Sequence, residues 1–121
     1  MKKLIPLLFL ILALPLFATE DTATIVSELI TMTNHSGAEF IRNGKTHSAQ
    51  EASEHLEKKY KHFLKKGKIK TPEDFIKYAG TKSLVSGKYY MLKFPDGTEE
   101  KSATWLTAQL ANIRAEDEQH H

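Results

Sequence analysis

Apolar and polar residues follow one another along this chain in three rhythms, and each rhythm predicts a different element. The first is an unbroken apolar run, Leu4 to Phe17, behind the basic start Met1-Lys2-Lys3. The second has helical spacing: Ile25, Val26, Leu29 and Ile30; Ala49, Ala52, Leu56, Tyr60 and Phe63; Phe75, Ile76 and Ala79; and Trp105, Leu106, Leu110 and Ile113. Each set lies on one face of a helix. The third has period two: Tyr90, Leu92 and Phe94 alternate with Tyr89, Met91 and Lys93, the pattern of a half-buried strand.

Local chemistry bounds these elements. The first helix fades at Asn34-His35-Ser36-Gly37, and Glu39 to Arg42 then meets Asn43-Gly44, a pair that tolerates positive φ at both central positions of a tight hairpin, before Lys45-Thr46-His47 returns. Ser48 with Glu51 forms a capping box for the second helix, whose outer face carries Glu54–Lys58 and Glu57–Lys61 pairs and which Gly67 ends. Thr71-Pro72-Glu73-Asp74 opens a shorter helix, with acids where the helix dipole favours them, and Gly80 closes it. Pro95-Asp96-Gly97 turns a second hairpin, Ser102 is expected to cap the last helix, and Glu116 to His121 is expected to be a frayed polar tail.

These segments predict an α+β fold of four helices and two β-hairpins. Helix, hairpin and helix follow one another twice, and the Ser-to-Leu spacing after each turn, Ser48 to Leu56 and Ser102 to Leu110, is eight residues in both. A pseudo-two-fold repeat sharing one core is one reading; recurrence of a common local solution is the other. The predicted organisation is a leader over 1–18, one α+β domain over 19–115 and a tail over 116–121.

The apolar run is shorter than the roughly 17–25 residues that cross a bilayer as a helix, and a polar segment follows directly. It reads as a bacterial signal peptide cleaved after Ala18, giving a periplasmic or secreted protein with no stable membrane span. Leu16 stands where a second small residue is preferred, which keeps an uncleaved anchor as the alternative. Cysteine is absent, so lipoprotein anchoring, disulfides and thiolate chemistry are excluded. The formal charge is +2, from 17 Lys+Arg against 15 Asp+Glu. The leader takes Lys2 and Lys3 with it, leaving a formally neutral domain and no case for nucleic acid.

Candidate chemistry is sparse. Gly44-Lys45-Thr46 resembles the end of a phosphate loop, but Glu39 stands where that loop needs glycine, and no helix follows directly. Gly-x-Ser-x-Gly and Ser-x-x-Lys patterns do not occur. Glu51, His55 and His62 could share an exposed helical stripe, a partial start for weak transition-metal binding, to which His120-His121 could add. Seven lysines and no acid fall between Lys58 and Lys70, read as a solvated face or as an attachment point for anionic lipid or polysaccharide. The stretch Thr81 to Tyr90 gathers hydroxyls, cations and phenols on a loop, where binding groups commonly sit.

In chain order, Phe40-Ile41-Arg42-Asn43-Gly44, His55-Leu56 with Lys59, Glu73-Asp74-Phe75-Ile76, Lys82-Ser83 with Ser86-Gly87-Lys88 and Tyr90, and Trp105-Leu106 with Leu110 resemble a family of small secreted bacterial proteins catalogued as domain of unknown function 5329. The resemblance spans nearly the whole chain after the leader and implies secretion and this architecture, with no assigned activity. Members of that family often carry a cysteine before the first strand and another late in the second hairpin's first strand, which would tie the two halves together. Here those places are Ala38 and Phe94, so packing alone must hold the halves.

The resulting expectation is a non-enzymatic binding or assembly module of the cell envelope, without cofactor or metal. Its partner would be an envelope protein or an anionic cell-wall component, contacted through Arg42, Lys82, Ser86 and Tyr90. The alternative is an envelope hydrolase or transferase using Ser83 or Ser86, with Lys82 or His47 as base.

Overall fold

The computed structural model describes residues 20–119. The expected signal peptide and His120-His121 lie outside the described residues. The elements are α1 (Thr22–Asn34), β1 (Glu39–Arg42), β2 (Lys45–His47), α2 (Ala49–Lys65), α3 (Pro72–Ala79), β3 (Met91–Lys93), β4 (Glu99–Lys101) and α4 (Ser102–Gln119). Among the described residues the α+β reading with four helices and two hairpins is what is found. Among the described residues, no helix is long and apolar enough to cross a membrane.

The two hairpins merge into one antiparallel sheet of order β2-β1-β3-β4, with β1 and β3 pairing at its centre. The register sets Phe40 opposite both His47 and Leu92, and Ile41 opposite both Thr46 and Met91. Phe40 and Leu92 therefore share the inner face, where they form a cluster with Ala38, Ala52 and Tyr90, while Ile41 and Met91 share the outer face. The larger core is helical: Val26, Leu29, Leu56, Phe75, Leu106 and Ile113 meet from α1, α2, α3 and α4. Trp105 packs against both clusters and joins them. Ala38 and Phe94 lie one step beyond the Glu39–Lys93 pair and pack in the same small cluster, so apolar contact occupies the place of a covalent tie.

Local signals explain most boundaries. Asn43 (φ 54) and Gly44 (φ 76) both take positive φ in the β1–β2 turn. Capping boxes are complete at Ser48/Glu51 and at Thr71/Asp74. Past α2, Lys68 N–H donates to the Phe63 carbonyl and Gly67 N–H to that of Leu64, both at 3.0 Å, which satisfies two orphan acceptors of the last turn.

Two boundaries differ from expectation. Ser102 is not a cap but the first residue of α4; it is buried, and its N–H donates to the Tyr90 carbonyl at 2.9 Å, so strand β4 runs directly into the helix. The last helix also continues through Glu116–Gln119, because Glu and Gln are adequate helix formers and nothing there breaks the pattern. Between these points Arg114 grips two carboxylates, Glu20 at 2.9 and 3.0 Å and Glu73 at 2.7 and 3.1 Å, tying the start of the described chain and α3 to α4.

Gly80 ends α3 for a packing reason. Its φ of −106° is open to any residue, but a Cβ there would stand 2.6 Å from Leu106 Cδ1, and Leu106 is fully buried. Gly80→Ala should therefore lower stability by about 1–3 kcal/mol through overpacking. Chemical denaturation of Gly80→Ala beside the wild type checks this, and an unchanged midpoint would mean that Leu106 has room to move.

Candidate functional site

The polar centre of the molecule forms where the N-terminal half of α2 crosses the inner face of the sheet. The capping box at Ser48 fixes the start of α2, so His55 and Lys59, four residues apart, rise together on the side turned to the sheet. Arg42 reaches them from the end of β1, and Tyr90 from the residue before β3. The Tyr90 ring is 2% exposed and packs against Phe40 with ring centroids 5.4 Å apart.

A chain of hydrogen bonds links these four. Arg42 Nη1 lies 2.9 Å from His55 Nδ1, His55 Nε2 lies 3.1 Å from the Tyr90 hydroxyl, and Lys59 Nζ lies 3.1 Å from that same hydroxyl. Arginine is always a donor, so Nδ1 must accept and the imidazole proton must sit on Nε2, directed at Tyr90. The phenol oxygen thus receives from both His55 and Lys59. Lys59 also donates to the Lys82 carbonyl at 3.3 Å, and its ammonium stands 5.0 Å from the centre of the Tyr90 ring.

Charge in this cluster is one-sided. Among the described residues, no ion pair joins a carboxylate to Arg42 or Lys59. Burial first, and then the Arg42 guanidinium, push the Lys59 ammonium down to about 8. Burial, followed by Arg42 and Lys59, holds His55 at about 4, so the imidazole is neutral at physiological pH. Burial raises Tyr90, with Arg42 opposing it, so the phenol keeps its proton. The result is a half-buried array rich in donors, with no anion of its own to receive them.

Of the four residues singled out from sequence, Arg42 and Tyr90 belong to the array and His55 bridges them. Lys82 touches it through its backbone carbonyl, while its side chain is exposed. Ser86 Oγ is hydrogen-bonded to Asn43 Oδ1, which fastens the Thr81–Tyr90 loop to the β1–β2 turn beside Arg42. Ser83 is buried, and its hydroxyl accepts from the N–H groups of Val85 and Ser86 as a turn acceptor. Among the described residues, neither serine hydroxyl is hydrogen-bonded to His47 or to the Lys82 ammonium. His47 instead faces Glu51 at 4.0 Å, and its Nε2 is buried without a partner.

Two expectations are corrected here. Lys59 does not belong to the solvated lysine face: it is 9% exposed, and the spacing Ala52, Leu56, Lys59, Phe63 places it inside the apolar stripe, a signal the charge run concealed. His55 does not share an exposed stripe with His62, because it turns inward to Tyr90 while the exposed His62 packs edge-on against Phe63. A broad cleft of about 590 Å³ lies elsewhere, between α3 and α4, but its cation, Arg114, is already occupied by Glu20 and Glu73.

The pH dependence follows from the neutral imidazole. His55 binds its proton more weakly folded, near 4, than unfolded, near 6.5. Its contribution to stability is thus complete above 6.5 and is lost as pH falls towards 4. His55→Gln can still accept from Arg42 and donate to Tyr90 but cannot titrate. The variant should lose about 1 kcal/mol less than the wild type across that window, allowing for solvent screening of a half-buried group. Urea melts at pH 7 and pH 4 measure it, and equal losses in the two proteins would overturn the assignment.

Comparison with curated proteins finds no match, and neither does comparison with solved structures. A family described as "Family of unknown function (DUF5329)" matches residues 20–114, a span that contains every residue of the array. The chain belongs to the DUF5329 family.

Proposed function

We propose that this protein is a non-enzymatic binding module of the cell envelope, and that it recognises an anionic group on its partner through Arg42, Lys59 and the Tyr90 hydroxyl. The observation that carries this reading is the donor-rich array without a carboxylate. Burying Lys59 beside Arg42 opposes folding, and an arrangement kept against stability is characteristic of a functional site. An oxyanion would accept from the guanidinium and the ammonium together and would remove the like-charge repulsion between them. Lys82 and Ser86 form the rim. The basic start and apolar run of residues 1–17 support placement in the periplasm or outside the cell, and the use of Ser83 as a turn acceptor argues against a serine nucleophile.

Sulfate is a suitable probe because its own charge is constant across the range tested. Bound sulfate should raise the melting temperature of the wild type, and affinity should fall as pH rises through about 8, where Lys59 sheds its proton. Lys59→Met keeps the volume and removes the charge. At pH 7 it should be more stable than the wild type by about 1–2 kcal/mol, a gap that closes towards pH 10.5 as the wild-type lysine becomes neutral. The same variant and Arg42→Gln should lose the response to sulfate. Absence of any sulfate response in the wild type, or one that survives Lys59→Met, would sink the reading. Labelling of Ser83 or Ser86 by a serine-directed covalent probe would overturn its non-enzymatic part.

A further inference from the structure

We propose that the loop between α3 and β3 is a finger that touches an anionic lipid surface, with Leu84 and Val85 as its apolar tip. Leu84 is 72% exposed and Val85 93%, and Tyr89 at the base of the loop is 50% exposed. A flexible segment could fold such side chains back onto the protein. Here that rearrangement is opposed by a backbone closed on itself. Ser83 N–H donates to the Lys88 carbonyl at 3.0 Å, Gly87 N–H to that of Ser83 at 2.9 Å, and Tyr90 N–H to that of Thr81 at 3.0 Å. Gly87 takes the left-handed φ of 72° that the reversal requires. The buried Ser83 hydroxyl holds the tip from beneath, and Ser86 fastens it to Asn43 on the neighbouring turn.

The charge around the tip selects the occupant. The loop from Thr81 to Tyr90 carries Lys82 and Lys88 and no acid. Lys101 stands over the Tyr89 ring at 4.3 Å, which adds a third cation at the base of the loop. A second copy of the chain docking tip to tip would set these lysines against one another. An anionic bilayer accepts both parts at once: the apolar pair enters the boundary between headgroups and acyl chains, the phenol lies at headgroup level, and the lysines meet lipid phosphates. The inference rests on the anion-binding reading in one respect, since a lipid phosphate is the anion that would reach the Arg42–Lys59 array at the loop's base.

The absence of cysteine makes the test direct. Val85→Cys, carrying a nitrobenzoxadiazole label, reports the surroundings of the tip alone. Vesicles of equal parts phosphatidylglycerol and phosphatidylcholine should shift the emission to the blue and increase it, and pure phosphatidylcholine vesicles should do so far less. In co-sedimentation, Leu84→Ser with Val85→Ser should weaken binding to the anionic vesicles about tenfold, and Lys88→Gln about fivefold. Both changes are at exposed positions, so an unchanged melting temperature confirms that folding is intact.

An unshifted label with anionic vesicles, or equal shifts with both vesicle types, overturns the finger. So does concentration-dependent self-association that the serine substitutions abolish, which would assign the tip to a second copy. Failure of the label with an intact sulfate response rejects the finger and leaves the anion site standing. A label response without a sulfate response supports the tip and rejects the array as the phosphate site.

Discussion

The Tyr90 side chain and backbone together make the junction on which the rest of the structure depends. Its ring fills the inner face of the sheet against Phe40, its carbonyl receives the first N–H of α4, and its own N–H closes the preceding loop onto Thr81. Its hydroxyl then receives from two side chains of α2. One residue thus sets the distance between sheet and helix and gives the polar array its centre. A phenol suits this position because a large apolar body can be buried while its single polar atom remains available for bonding.

Two kinds of packing divide the labour around that junction. The helical core, built from Leu29, Leu56, Phe75, Leu106 and their neighbours, is wholly apolar and supplies rigidity. The sheet cluster is small and admits a lysine, an imidazole and a phenol at its edge. Rigidity on one side makes it possible to hold cations together on the other, since side chains fixed by packing cannot swing apart to relieve repulsion. The loop from Thr81 to Tyr90 belongs to the same logic. Its backbone bonds are satisfied internally, so its apolar tip stays exposed.

Elements governed by neighbours in sequence were legible from residue types. The Asn43-Gly44 turn, the capping boxes at Ser48 and Thr71 and the stop at Gly67 each depend on hydrogen bonds or dihedral preferences within about four residues. Ser102 differs from expectation because its role is set by the Tyr90 carbonyl, twelve residues away and just before β3. Gly80 was placed correctly at a helix end, yet the reason for glycine there is the side chain of Leu106 on α4.

The candidate site shows the same division more sharply. Sequence by itself determined the α+β class, the four helices and two hairpins, and a loop rich in hydroxyls and cations, because periodicity and turn chemistry are local properties. Only the tertiary structure decided that the hairpins merge through β1 and β3, that Lys59 leaves the solvated lysines for the interior, and that His55 faces Tyr90. Protonation, burial and the absence of a counter-charge arise from groups brought together across 13 to 35 positions of chain, and the residue type alone carries no record of them.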